Sequence, residues 1–206
     1  GNPPPGRVVI ADDRTTADVA YRLACEGTAM LWRGDFQNAR QLLQALARRV
    51  ERKPRKASPV VAATPVDAFN RHRQAQSRRA RILAMLLLPL DADYTLPLRR
   101  APDLRQACRE AYGPEDAPDN APSVVSLREL LGLIGAHEWR KKGVTVPALG
   151  GCVHPHYGVF APIRGEYVEL VANAPLPATT LAFDIGTGTR VLAAVLARRG
   201  LARIDR

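Results

Sequence analysis

The 206-residue chain has little of what several kinds of chemistry need. Its three cysteines, Cys25, Cys108 and Cys152, lie far apart with no Cys-x-x-Cys pair. That excludes a disulfide framework or a zinc knuckle and suits a reducing compartment. Of the four histidines, only His154 and His156 lie close together. Two histidines one residue apart in a strand would share a face. A zinc site needs further ligands, none of the right type lies nearby, and no metal is expected. No Ser/His/Asp or Cys/His set reads as a nucleophile system, so no catalytic residue is named. No apolar run approaches the ~20 residues that cross a bilayer; the longest is Ile82 to Leu90. No signal peptide is visible. The expectation is a cytoplasmic protein that makes no membrane contact. Aromatic residues are only 5%, so Ala, Leu and Val must build the core.

Acids are also short relative to bases. Thirty Lys and Arg face twenty Asp and Glu, a formal charge of +10. Such a balance fits nucleic acid, the ribosome or another anionic partner. An Arg- and Ala-rich composition from a GC-rich genome would give the same charge. The bases are concentrated in two places. Arg48 to Lys56 carries six positive charges against one acid, bounded by Pro54 and Pro59, and is either a solvated linker or a phosphate-contacting patch. The following segment holds Arg71, Arg73, Arg78, Arg79 and Arg81.

Caps and periodicity predict a mostly α N-terminal domain over residues 1–143. A short extended arm precedes a helix from Thr15 or Thr16 to Arg33, with Val19, Leu23, Met30 and Leu31 on one face. Gly34 ends it and Asp35 caps a second helix carrying Phe36, Ala39, Leu42, Leu43 and Leu46. Thr64-Pro65-Val-Asp67 starts a third, predicted to run to Leu88 and stop at Pro89. Asp103 caps a short helix ended by Gly113, an acidic loop covers 113–122, and Ser126-Leu-Arg-Glu129 is a capping box for a helix to Lys142. Residues 144–163 are expected to form a β-hairpin and connector. Helix followed by hairpin is the layout of a winged-helix module.

The most informative stretch is Leu181-Ala-Phe-Asp-Ile-Gly-Thr-Gly-Thr189, with an Ala/Leu/Val-rich segment behind it. It predicts a strand, a tight glycine turn and a helix, the start of a nucleotide-binding βαβ unit. A phosphate P-loop would need a Lys after its last glycine, and the dinucleotide fingerprint lacks the leading acid. The string Asp184-Ile-Gly-Thr-Gly-Thr189 resembles motif I of the class I S-adenosylmethionine (SAM)-dependent methyltransferases. Upstream, Pro162-Ile-Arg164-Gly-Glu166-Tyr-Val-Glu169-Leu-Val171 is similar to the Pro-Arg-Pro-x-Thr-Glu-x-Leu-Val segment of HemK-like enzymes. Those, with the small-domain rRNA guanine methyltransferases, modify planar amide or amino nitrogens.

The resemblance implies that 164–206 begins a Rossmann-like SAM-dependent methyltransferase domain. Asp184, Gly186, Thr187, Gly188 and Thr189, with Arg164, would bind the cofactor. The acceptor would be a protein glutamine or an RNA base. Three departures accompany it. The third motif glycine is Arg190, the Asn-Pro-Pro-type acceptor motif is absent, and only two strands of a larger sheet are expected before Arg206. The chain is therefore expected to belong to a longer product and to be inactive alone. The alternative is a non-enzymatic, basic, winged-helix-like binding module with a vestigial glycine turn.

Overall fold

A computed structural model describes residues 5–52, 64–117, 120–160 and 162–205. Helices and strands alternate along the chain, an α/β arrangement in two compact units. The first comprises residues 1–105 and 114–132, the second 106–113 and 133–206.

The first unit is helix-rich, as expected, but the sheet that organises it was not expected. It is built on a four-stranded sheet in the order β1-β2-β3-β4. Strand β1 (Arg7–Ala11) pairs in parallel with β2 (Thr28–Trp32), β2 in parallel with β3 (Leu86–Leu90), and β3 antiparallel with β4 (Ser123–Ser126). Helix α1 (Ala17–Cys25) connects β1 to β2. Helices α2 (Phe36–Glu51) and α3 (Pro65–Leu83) connect β2 to β3. The three helices pack on one another. Register and alternation place Thr28, Met30, Trp32, Leu86, Leu88 and Leu90 on one sheet face, all of them buried. The opposite face carries Val8, Ile10 and Val124, all exposed.

Two expected helices prove to be helix followed by strand. Gly27 takes φ +78 and ends α1 well before Arg33. The run Thr28-Ala-Met-Leu-Trp32 then becomes a central strand, buried at every residue except half-buried Leu31, where an unbroken apolar run is the rule. Likewise α3 ends at Leu83, and Leu86–Leu90 is a strand containing the Pro89 expected to stop a helix. Pairing of β3 with β2 extends only over Leu86 and Leu87, so Pro89 lies beyond it. Strand β4 lies just after the expected acidic loop and includes the expected cap residue Ser126.

Helix starts agree better with expectation, because their caps are short-range. Thr16 Oγ1 accepts from the Val19 amide, Asp35 Oδ1 from Gln37 and Thr64 Oγ1 from Asp67. Asp103 Oδ1 accepts from Arg105 at the start of α4 (Arg105–Tyr112) and Ser126 Oγ from Glu129 in α5 (Leu127–Lys142). Of the basic stretch 48–56, residues 53–56 lie outside the described residues.

The second unit contains the expected hairpin in shorter form. Strands β5 (Val144–Val146) and β6 (Gly151–Val153) pair antiparallel around a 3-10 turn, Pro147–Leu149; residues 154–160 are not strand. Helix α6 (Glu166–Asn173) follows. Strand β7 (Leu181–Phe183), helix α7 (Val191–Arg198) and strand β8 (Arg203–Asp205) complete the chain. Val146, Val168, Val191 and Val195 form a buried cluster in this unit, with Leu149, Tyr167, Val171 and Leu192 packed around them. Among the described residues no helix is long and apolar enough to cross a membrane.

Candidate functional site at the glycine turn

The two segments that carry the sequence resemblance are packed together. Helix α6, from the Pro162–Val171 segment, lies against α7 behind the glycine turn. Arg199, just after α7, donates from its guanidinium to the carbonyls of Val171 and Ala174, both at 2.5 Å. It therefore caps the C-terminal end of α6, where carbonyls lack helical partners and the dipole favours a cation.

Strands β7 and β8 are parallel, with Phe183 opposite Asp205. The ladder extends one step further, where the Asp184 amide donates to the Asp205 carbonyl at 2.9 Å. The backbone then leaves the sheet. Gly186 (φ +77), Gly188 (φ +50) and Arg190 (φ +62) are all left-handed. Glycine enters that region freely, whereas an arginine there is strained. The position where the methyltransferase pattern has its third glycine thus keeps a glycine conformation while carrying arginine. The Arg190 amide donates to the Thr187 carbonyl at 2.7 Å, and the Arg190 carbonyl accepts the first helical bond from Ala194 at 3.0 Å. The side chain of the α7 N-cap residue, Arg190, makes no capping hydrogen bond. The first N–H groups of the helix and the positive end of its dipole lie at the turn.

Asp184 is 8% exposed, and among the described residues its Oδ2 is buried with no hydrogen-bond partner. A buried carboxylate oxygen without a donor carries a real desolvation cost, about 1–3 kcal/mol or more. Ile185, next in sequence, is 86% exposed. Burial therefore switches abruptly at the strand end, and the turn offers open backbone. A side chain at Gly186 would meet nothing within 4 Å, whereas one at Gly188 would lie 3.7 Å from Phe160 Cβ. Phe160 is itself exposed beside the turn. Sequence reading missed it, because nothing local marks a loop phenylalanine 28 residues upstream as a neighbour of Gly188.

The remaining candidates fall as follows. Thr187 and Thr189 are half-buried within the turn, and Arg164 is exposed two residues before α6. Glu166 and Glu169 line an open groove of about 640 Å³ along α6 with Leu170, Asn173 and Ala174, and no residue of the turn takes part in it. His154 Nδ1 lies 2.6 Å from the Arg140 carbonyl. A carbonyl can only accept, so Nδ1 carries the proton and His154 ties down the last turn of α5. Among the described residues no group of three or more His, Cys, Asp or Glu could hold a metal ion.

Two further polar clusters were not legible in sequence. Glu110 accepts from Gln106 at 3.2 Å, pairs with Arg140 at 3.3 Å and meets His137 Nδ1 at 3.1 Å. Burial alone would raise its pKa, but bonds from His137 and Gln106 and the Arg140 charge outweigh it and hold the carboxyl below its usual range. In the first unit, Asp35, only 2% exposed, caps α2 and accepts from Arg100 Nε at 2.6 Å. That bond is the main reason its carboxyl lies below the ordinary carboxylate range. Asp13 Oδ1 accepts from the Asp35 amide at 2.9 Å and from Asn38 at 3.0 Å. This cluster at the C-terminal ends of β1 and β2 is satisfied from within.

Neither a scan of protein-family models nor a search of curated proteins found a match to this chain.

Proposed function

We propose that the turn Asp184–Thr189 binds S-adenosylmethionine and that the chain serves methyl transfer to a planar nitrogen of a protein glutamine or an RNA base. The observation that carries the reading is the buried Asp184 Oδ2 at a strand end, without a partner among the described residues, followed by a helix whose N-cap residue makes no side-chain cap bond. SAM offers both complementary groups. Its ammonium would satisfy the carboxylate, and its carboxylate would meet the helix N–H groups. Gly186, Gly188 and the threonines keep the backbone accessible between them, and Arg164 is the further contact that the family resemblance implies. When bound, SAM supplies the methyl group. The turn's task is to hold it in line with the acceptor, where proximity and orientation dominate the rate.

No acceptor-positioning residue accompanies the turn, so residues 1–206 are proposed to bind the cofactor without turning it over. Recruitment of ribosome, release factor or RNA is assigned to the Arg-rich helices. Calorimetric titration of SAM tests the reading: wild type binds, and Asp184→Ala loses at least tenfold in affinity. Absence of binding by a folded wild-type chain, or equal binding by Asp184→Ala, overturns it.

One observation favours the second reading, a non-enzymatic binding module of winged-helix layout: α5 leads directly into the β5–β6 hairpin. Salt-dependent RNA binding by a chain with no SAM affinity would support that reading instead.

A further inference from the structure

The first unit carries a helix that its own core does not explain. Helix α3 has 19 residues, about 28 Å at the α-helical rise. Only Ile82 and Leu83 are buried, at its C-terminal end. From Val66 to Arg78 every side chain except half-buried Asp67 is exposed, on all sides of the helix. Its root is fixed by Arg79 to Glu51 at 3.0 Å and Arg78 to the Tyr21 hydroxyl at 3.4 Å. A helix that is polar all round either bridges to something or gains little from packing.

Charge decides what it could bridge to. From Asn70 to Arg81 there are five arginines, one histidine and no acid. The rest of that stretch supplies Gln74, Gln76 and Ser77, further donors for phosphate and sugar oxygens. Exposed apolar groups are sparse. Val66 and Phe69 stand out, and Arg73 lies over the Phe69 ring, 5.9 Å from its centroid. A membrane-surface helix needs a continuous apolar face, and a protein partner needs buried aromatic or aliphatic anchors. This helix has no such face, and its exposed large apolar side chains, Val66 and Phe69, lie only in its first two turns, with Arg73 over the phenylalanine ring. Arginine forks spaced around the acid-free stretch Asn70–Arg81 of a projecting helix match the oxygens of a phosphate backbone.

We infer that the projecting part of α3 is a docking element for a nucleic-acid phosphate backbone. The inference deepens the recruitment assigned above to the Arg-rich helices but is independent of the cofactor reading, because it concerns the first unit and needs no SAM. Neutralised phosphates release counterions, so binding must weaken steeply with salt.

The test uses the full chain and fluorescence anisotropy with a labelled RNA duplex and a DNA duplex of the same sequence, from about 50 to 300 mM salt. Wild type should bind at least one of them, and the two probes tell RNA from DNA. Arg73→Glu/Arg78→Glu should lose at least tenfold in affinity at about 100 mM salt, with a salt slope shallower by about two. Arg73→Gln/Arg78→Gln should lose less. Arg7→Glu/Arg14→Glu, with the same change in net charge elsewhere in the unit, should stay within about threefold of wild type. Circular dichroism checks that each variant folds, and the glutamine pair gives the answer if the glutamate pair does not. The inference is overturned by absence of binding to both duplexes. It is equally overturned if the α3 variants lose no more than the Arg7/Arg14 control, or if polyglutamate displaces wild type as effectively as unlabelled duplex.

Discussion

The amide of Asp184 donates to the carbonyl of Asp205 at 2.9 Å, so acids lie at the ends of two neighbouring parallel strands, one register step apart. That bond fixes the Asp184 backbone and leaves the side chain to its own fate. Asp205 Oδ1 is engaged by Arg203 at 2.8 Å, whereas Asp184 Oδ2 has no partner among the described residues. An unsatisfied buried oxygen costs about 1–3 kcal/mol, and its deletion removes that cost. Asp184→Ala should therefore unfold at the same temperature as wild type or higher when no ligand is present, while losing SAM affinity. Thermal unfolding followed by circular dichroism, with and without SAM, separates the two effects. A large drop in the ligand-free midpoint would mean that the carboxylate serves stability.

Arg190 holds a left-handed conformation (φ +62) that costs a non-glycine residue roughly 1–2 kcal/mol. Glycine removes this strain but loses more chain entropy on folding, about 0.5–1 kcal/mol. Arg190→Gly should therefore stabilise the chain by a few tenths to about 1 kcal/mol in urea unfolding, and Arg190→Val should destabilise it. A less stable glycine variant would show that contacts of the arginine side chain outweigh the strain.

The glycine turn was legible because its information is local: an acid, two glycines and an apolar run at strand-turn-helix spacing. The caps at Thr16, Asp35, Thr64, Asp103 and Ser126 were legible for the same reason, since each bonds within three residues. The sheet of the first unit was not. Leu86 becomes a strand residue through pairing with Met30, 56 positions away, and the same apolar run satisfies helical periodicity equally well. Gly27 was the available signal, because a glycine after Cys25 predicts a helix end as readily as a close helix contact. Phe160 beside Gly188 and the Glu110–His137 pair depend on tertiary packing that no spacing encodes.

Acid should weaken the first unit through Asp35. Arg100 holds its carboxyl below the ordinary value, so the ionised form is favoured in the folded state. A depressed carboxylate contributes stability that is present above the unfolded pKa, near 4, and lost as pH falls through the folded value. Wild type should accordingly exceed Asp35→Asn in urea midpoint at pH 7, and the gap should shrink below about pH 4. Arg100→Gln should narrow it at neutral pH. A gap independent of pH would assign the effect to the helix cap alone.

Thiol chemistry should divide the cysteines. Cys108 is fully buried, and burial raises its pKa to about 11, whereas Cys25 and Cys152 are exposed. The thiolate is the reactive form, so at pH 8 iodoacetamide should modify Cys25 and Cys152 in the native protein and reach Cys108 only after denaturation. Peptide mass mapping reads this directly. Native labelling of Cys108 at a rate comparable to Cys25 would mean that α4 opens readily.

Two glycines should respond to alanine in opposite directions. A Cβ on Gly34 would lie 2.5 Å from Asp13 Oδ1 and 2.9 Å from the Asp13 backbone nitrogen. The first of those atoms already accepts from the Asp35 amide and from Asn38, so it cannot withdraw without breaking both bonds. Gly34→Ala should therefore cost about 1–3 kcal/mol, as overpacking does elsewhere. Gly132 lies inside α5, where an added Cβ meets nothing within 4 Å. Gly132→Ala should stabilise the chain by about 0.5–1 kcal/mol, the difference in helix propensity. Urea unfolding of both variants against wild type checks the pair. Equal and small effects would mean that Asp13 yields, and that the contact between the β1 and β2 loop ends is looser than the 2.9 Å bond from Asp35 to Asp13 implies.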